Sequence, residues 1–271
     1  MSRLTTMSLL ALWLAAPLWL AAQPNGPRLK GALGITDENL FEMMLYTAPG
    51  IGSNTRQDME HQSVKAYLMP IRSLGQRGND WSYALATCLE FYVNLNSNYK
   101  DNLSPDYISL SMQSMGQRPG IEDGLKFLAL QGDVSAAIVP YDAASIPPSV
   151  YGARVYRIAN FLHLFRETTR PKQKTFEVKR ALMRGNPVLV DLLADADFRR
   201  QQGQHQWTPN PVAGTQRFAV VTTAFDETRQ AFELRLPWGA DWGVNGHIWI
   251  SYEDFERAAQ NGYVMVPEAV N

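Results

Sequence analysis

The residues best placed to do chemistry lie in the stretch RSLGQRGNDWSYALATCLEFYVNL, residues 72–95. A glycine-rich turn leads there into a segment whose apolar residues recur at helical spacing, and Asp80 stands at the junction just before Trp81. The N-terminus of a helix carries a partial positive charge, and a turn of this kind can place a nucleophile there. The stretch therefore raises the question of what a carboxylate can do at such a point.

The other reactive side chains have ordinary sequence surroundings. Cys88 is the only cysteine and falls on the apolar stripe, two helical turns after Asp80, which predicts a buried structural thiol. We expect core or surface roles for the four histidines, which are His61, His163, His205 and His247. No HExxH or CxxC pattern occurs, and we expect Asp195 and Asp197 in LADADF to be solvated. The sequence thus predicts no metal and no cofactor.

Composition narrows the classes of partner. The 271 residues include 25 Lys and Arg against 26 Asp and Glu, for a formal net charge of −1. Nucleic-acid binding usually needs a basic surface, so we predict no nucleic-acid partner. A single cysteine cannot form an internal disulfide, and the hydrophobic core has to hold the fold by itself.

The first residues, MSRLTTMSLLALWLAAPLWLAAQPNG, predict a secretory signal peptide over residues 1–22. Arg3 precedes an apolar run, and the run ends in the small residues Ala21 and Ala22, after which we expect cleavage. A membrane anchor is the alternative, but the run is short for a span and QPNGP follows it at once. We therefore predict a periplasmic or extracellular protein with no stable membrane insertion after cleavage.

The elements that must position Asp80 change character along the chain. Residues 23–65 are a mixed, loop-rich lead-in, and residues 66–165 carry most of the helical patterns. The polar stretch 166–174 is a predicted linker, and residues 166–271 are rich in β-branched and aromatic runs, namely NPVLVDLL, RFAVVTTAFD, AFELRLPW and GHIWISY. Helices first and antiparallel-looking strands later predict an α+β fold in two subdomains.

Five segments in a fixed order resemble the papain-like cysteine peptidases, in particular their bacterial branch. They are GQRGNDWSYA, PGIEDGLKFLALQGDVSAAIVPYD, VKRALMRGNPVLVDL, QRFAVVTTAFD and LRLPWGADWGVNGHIWIS, and together they extend over about residues 65–255. The most specific pattern is WGxxWGxxG, which begins at Trp238. The resemblance implies a helical left subdomain, an antiparallel β-barrel-like right subdomain and a cleft between them.

The resemblance also implies where catalytic groups should stand. The family uses a cysteine at the helix N-terminus, a histidine base, an asparagine that orients the base and a glutamine that holds the oxyanion. The matching positions hold other residues here, in that order Asp80, Phe218, Leu236 and Leu74. Gln76 is close to the glutamine position but two residues out of register. These replacements predict that the chain is not an enzyme but a catalytically degenerate pseudopeptidase.

Asp80 then has a structural interpretation. Aspartate is among the best N-cap residues, so we expect its carboxylate to cap the helix that starts at Trp81. Residues that would line a peptide-binding cleft are Gly78, Asp80, Trp81, Phe218 and Trp238. Whether Phe218 and Leu236 leave this cleft open or fill it stays undecided at this point.

The function predicted from these residues is the capture of a peptide or protein partner by an exported papain-fold protein. Two alternatives stay open. One is a peptidase-like enzyme with a rearranged active site that uses Asp80, and the other is a structural component of an envelope or secretion assembly.

Overall fold

The computed structural model describes residues 33–49, 59–97, 100–210 and 215–268. The predicted signal peptide lies outside these ranges. All the described residues belong to one structural unit, residues 31–271. Within the described ranges, no helix combines the length and the apolar character that a membrane crossing requires.

The helices lie mainly in the first part of the described chain. They are α1 (Glu38–Met44), α2 (Asp80–Ser97), α3 (Pro105–Ser114), α4 (Ile121–Leu130), α5 (Pro171–Met183) and α6 (Tyr252–Ala258). Helix α2 is the central one, since its residues are buried almost without interruption from Ser82 to Tyr92. A helix that is apolar on nearly every side must be covered on nearly every side, and α2 packs between α3 and α4 and the main sheet.

The strands form a seven-stranded sheet and a separate two-stranded sheet. They are β1 (His61–Ser63), β2 (Asp133–Val134), β3 (Val155–Tyr156), β4 (Ile158–Phe165), β5 (Val188–Asp195), β6 (Thr215–Asp226), β7 (Ala231–Arg235), β8 (His247–Ser251) and β9 (Ala259–Pro267). The order in the large sheet is β4-β9-β5-β6-β7-β8, with β1 also paired to β6, and β2 pairs with β3. Every strand pairing in both sheets is antiparallel.

The predicted α+β class and the four predicted strand runs agree with these elements. Strand β4 was not predicted, because IANFLHLF is mostly apolar without regular alternation, and periodicity alone does not distinguish such a run from a buried helix. It lies before residue 166 yet pairs with β9 in the large sheet. The predicted linker is only a short turn, because α5 already begins at Pro171. The subdomain boundaries stay a prediction.

Backbone pairing brings the start of α2 to the end of the large sheet. The Leu74 N–H donates to the Pro237 carbonyl at 2.7 Å, and the Gly239 N–H donates to the Arg72 carbonyl at 3.3 Å. Ser73 and Trp238 form an isolated antiparallel bridge between these two bonds. The turn before α2 and the segment after β7 are therefore fixed against each other.

Candidate functional site

A cavity of about 570 Å³ lies at the N-terminal end of α2. Its lining comes from the turn before the helix, from the first helical residue and from two residues of the β-rich part. These residues are Ser73, Leu74, Gly75, Gly78, Asn79, Asp80, Arg199 and Trp238. Four of the positions singled out by the sequence, Leu74, Gly78, Asp80 and Trp238, thus line one cavity.

Gly75 and Gly78 are needed in the turn for close packing. Glycine often serves a turn by adopting left-handed backbone angles, but neither residue has φ in the left-handed region. A Cβ atom at Gly75 would come within 2.5 Å of Asp142 Cγ, and one at Gly78 within 2.9 Å of the Tyr83 ring. Asp142 also accepts a hydrogen bond from the Arg77 N–H at 2.8 Å, so this carboxylate holds the turn in place.

The helix cap is one residue earlier than predicted. Asn79, not Asp80, caps α2, because its Oδ1 accepts from the Ser82 N–H at 3.0 Å. Asp80 is the first helical residue. The prediction failed because Asn and Asp are both strong cap residues and stand side by side here, so sequence preference does not decide between them.

The Asp80 carboxylate instead joins the helix to the sheet. Its Oδ2 accepts from the backbone N–H of Ala219 in β6 at 2.9 Å. Burial raises the pKa of Asp80, while the Ala219 N–H, the backbone at Asp80 and Trp81 and the charge of Arg199 act to lower it. The net effect is a raised pKa for a carboxyl group that faces an open cavity.

The positions of the family's histidine and asparagine are filled with apolar side chains below the cavity. Phe218 is 3% exposed and Leu236 is fully buried. The Phe218 ring packs against Trp238 at 5.4 Å and Phe198 at 5.6 Å between ring centroids. Leu74, at the glutamine position, lines the cavity. Phe218 and Leu236 are therefore core residues outside the cavity lining, and the cavity is open beside them.

Sequence reasoning missed Arg199. Its guanidinium lies over the rings of Trp238 and Phe218, with centroid distances of 4.8 and 5.4 Å. Arg199 belongs to the 3-10 turn Ala196–Arg200 after β5, 119 residues beyond Asp80 in the chain. No spacing rule links these positions, and only the tertiary fold brings both to one cavity.

Trp81, also predicted for the cleft, lines a neighbouring cavity of about 440 Å³. Asn79 borders both cavities, so they lie on either side of the same turn. The second cavity is otherwise lined by side chains of α3 and nearby loops, among them Leu110, Met112 and Pro119.

The remaining candidates lie away from the main cavity. Cys88 is buried, as predicted, and burial raises the pKa of its thiol. His163 and His247 are in strands β4 and β8, and burial lowers the pKa of His247 to about 4. The prediction of a solvated Asp195 is wrong, because this residue is 3% exposed and its carboxylate accepts from the N–H groups of Asp197 and Phe198, which caps the 3-10 turn.

None of the four histidines is among the residues lining either cavity. Across the part of the chain that the structure describes, no group of three or more histidine, cysteine or acidic residues could hold a metal ion.

Solved structures identify the fold. Xylellain, a cysteine protease from Xylella fastidiosa, is 16% identical with a TM-score of 0.62, over 88% of this chain and 95% of xylellain. The Carica candamarcensis cysteine protease CMS1MS2 is 17% identical with a TM-score of 0.62, over 78% of this chain and 99% of that one. Bromelain from Ananas comosus is 20% identical with a TM-score of 0.60, over 77% and 99% of the two chains.

The chain therefore has the papain-like fold, with mixed α and β structure and an antiparallel sheet, as predicted. A peptidase C1-like protein of Acanthamoeba polyphaga mimivirus is 27% identical over 137 residues, which is 49% of this chain. The matched stretch spans 40% of that relative's length. No family model matches the chain. Membership of the bacterial branch stays a prediction.

The prediction that the chain is not an enzyme is contradicted by these comparisons. The structures that share its fold are cysteine proteases, and the viral relative is peptidase C1-like, which together point to an enzyme. The prediction rested on the replacement of the four catalytic residues that the cysteine peptidase mechanism uses. Such a replacement tests only cysteine–histidine chemistry at the matching positions, and it leaves other groups in the cavity, such as Asp80, untested.

Proposed function

We propose that the cavity at the start of α2 binds an extended segment of a peptide or protein partner. The observation that carries the proposal is the combination of a cavity of about 570 Å³ with a papain-like fold. The turn from Ser73 to Gly75 and the neighbouring Trp238, whose backbone is bridged to Ser73, both line the cavity. Main-chain polar groups beside an aromatic side chain suit an extended peptide, which offers both amide groups and side chains.

A variant that fills the cavity tests this proposal. Leu74→Trp adds bulk to a lining residue, whereas Leu130→Trp makes the same exchange at a residue that is 62% exposed and outside the lining. We expect wild type and Leu130→Trp to bind members of a fluorescent peptide library and Leu74→Trp to lose that binding. Equal binding by all three proteins would place the peptide site elsewhere.

A second candidate function is hydrolysis of the bound segment with Asp80 as the acid–base group. The raised pKa of Asp80 in an open cavity favours it, since a general base or acid works best when its pKa approaches the working pH. In this scheme water attacks the peptide carbonyl, Asp80 takes the proton from that water, and the same proton passes to the departing amine. The comparison with cysteine proteases supports an enzyme of some kind but gives no substrate.

Turnover of a quenched fluorescent peptide library separates this candidate from binding alone. The expected result is slow hydrolysis by wild type that Asp80→Asn abolishes and Asp197→Asn keeps, because Asp197 is 64% exposed and outside the cavity lining. Hydrolysis that survives in Asp80→Asn would remove Asp80 from the mechanism.

We also propose that the chain is exported to a periplasm or to the extracellular space. The apolar run after Arg3 and the small residues Ala21 and Ala22 support this. N-terminal sequencing of the protein from its native host should give Gln23 as the first residue. A chain that begins at Met1 would contradict export with cleavage.

A further inference from the structure

We propose that Arg199 makes the cavity selective for peptide segments that carry a carboxylate. This inference rests on the proposed peptide-binding function and names the chemical class of the bound segment. The carboxylate can come from a C-terminus or from an acidic side chain, and the test below distinguishes the two sources.

The position of Arg199 is fixed by the residues around it. Asp195 caps the 3-10 turn at one end, and the neighbouring Phe198 is fully buried in an aromatic cluster. The Phe198 carbonyl accepts from Nε1 of Trp242 at 2.8 Å, and its ring packs against Trp207 at 4.3 Å between centroids. The backbone of Arg199 is therefore anchored, although its side chain is exposed.

The guanidinium lies over two aromatic rings, 4.8 Å from the Trp238 centroid and 5.4 Å from the Phe218 centroid. These cation–π contacts use none of its N–H donors. Within the described ranges, the side chain of Arg199, in the 3-10 turn Ala196–Arg200, forms no hydrogen bond or ion pair. By contrast, Arg77 beside the second cavity is paired with Asp142 at 3.7 Å.

Arg199 is the basic residue in the lining of the cavity and the group there that can bind an anion. Asp80 is the acidic residue in the lining, and its Oδ2 already accepts from the Ala219 N–H. Arg199 forms no ion pair with it, although its charge acts to lower the pKa of the Asp80 carboxyl group. A carboxylate is the partner that a planar guanidinium binds best, through two parallel N–H···O bonds.

Three labelled octapeptides of alanine and leucine supply the test. One has a central glutamate and an amidated C-terminus, one has glutamine and an amidated C-terminus, and one has glutamine and a free C-terminus. Fluorescence anisotropy gives the affinity of each for wild type, Arg199→Gln and Arg200→Gln. Arg200 is the matched control, since it is the next residue, is 76% exposed and pairs with Asp197 outside the cavity.

We expect wild type and Arg200→Gln to bind at least one carboxylate peptide about tenfold more tightly than the neutral one. The peptide with this preference identifies the source of the carboxylate. In Arg199→Gln the preference should disappear while binding of the neutral peptide persists. Equal binding of all three peptides by wild type, or an unchanged preference in Arg199→Gln, would overturn this inference alone. If wild type binds none of the three, the proposed function falls together with it.

Discussion

Helix α2 carries two carboxylates, Asp80 and Glu90, whose surroundings differ sharply. Glu90 is 1% exposed, and both its oxygens accept from Nη2 of Arg72, at 3.0 and 3.1 Å. It also accepts from the Leu103 N–H at 2.9 Å. Asp80 faces the main cavity, accepts one long-range backbone hydrogen bond from Ala219 and has Arg199 nearby without an ion pair.

This difference shows that the same helix carries a fully paired, buried charge at one point and a carboxylate that faces a cavity at another. Burial raises the pKa of both carboxyl groups, but only Glu90 is enclosed with a cation that satisfies it directly. A buried, fully paired charge fixes the geometry of its neighbours and is closed to ligands. Asp80 keeps access to the cavity, which makes it the group on α2 that can meet a bound segment.

The largest expected effect is at Glu90. Glu90→Ala leaves the Arg72 guanidinium, whose side chain is 11% exposed, without its anionic partner, and breaking a buried pair this way costs about 3–5 kcal/mol. Urea unfolding measures the loss. Glu122→Ala is the matched control, because its pair with Lys126 is about 40% exposed on both sides and contributes about 0–1 kcal/mol. If both variants lost the same free energy of unfolding, the pair of Glu90 with Arg72 would contribute no more than an exposed one.

A smaller effect is expected at Asp80. Asp80→Ala leaves the Ala219 N–H without its acceptor, which costs about 1–3 kcal/mol if no water replaces the carboxylate. Asp80→Asn keeps an acceptor oxygen, and we expect a clearly smaller loss. The midpoints of urea unfolding of the two variants decide this. An unchanged midpoint in Asp80→Ala would show that Asp80 does not join the helix to the sheet.

Variants of Asn79 test whether this residue, and not the adjacent Asp80, caps the helix. Asn79→Ala removes the acceptor of the Ser82 N–H and should lower the free energy of unfolding by about 0.5–2 kcal/mol, while Asn79→Asp or Asn79→Ser should restore most of it. Thermal unfolding of these three variants measures the order. If alanine and serine at this position were equally stable, Asn79 would not be the cap.

The smallest expected effect is in the pH dependence of stability. Because the pKa of Asp80 is raised in the folded state above its ordinary value of 3.8, the folded protein binds the proton more tightly than the unfolded chain. The free energy of unfolding from this group therefore falls as the pH rises from 3.8 to the folded pKa. Asp80→Asn should remove the contribution of this group to the pH dependence. The measurement is the free energy of unfolding of wild type and Asp80→Asn as a function of pH. If the two proteins showed the same pH dependence across the acid range, the pKa of Asp80 would not be raised.

The sequence predicted the fold class, but not the finer contacts around the cavity. The runs behind β5 to β8 were predictable because β-branched and aromatic residues dominate them, and the glycine-rich turn located the start of α2 to within one residue. The cap was misplaced by one residue, between two residues of similar preference. No local sequence pattern marked Arg199 as a cavity residue. It lines the cavity only because the folded chain places the 3-10 turn after β5 beside the start of α2.

Hydrogen–deuterium exchange with a bound peptide tests the central claim most directly. The account predicts that a library peptide slows amide exchange at Ser73–Gly75, Gly78–Asp80 and around Trp238, and leaves the exposed end of α4 at Leu130 unchanged. The Leu74→Trp variant should lose this protection. Protection confined to other surfaces, at a peptide concentration that saturates binding, would contradict the claim that the cavity at the start of α2 holds the peptide.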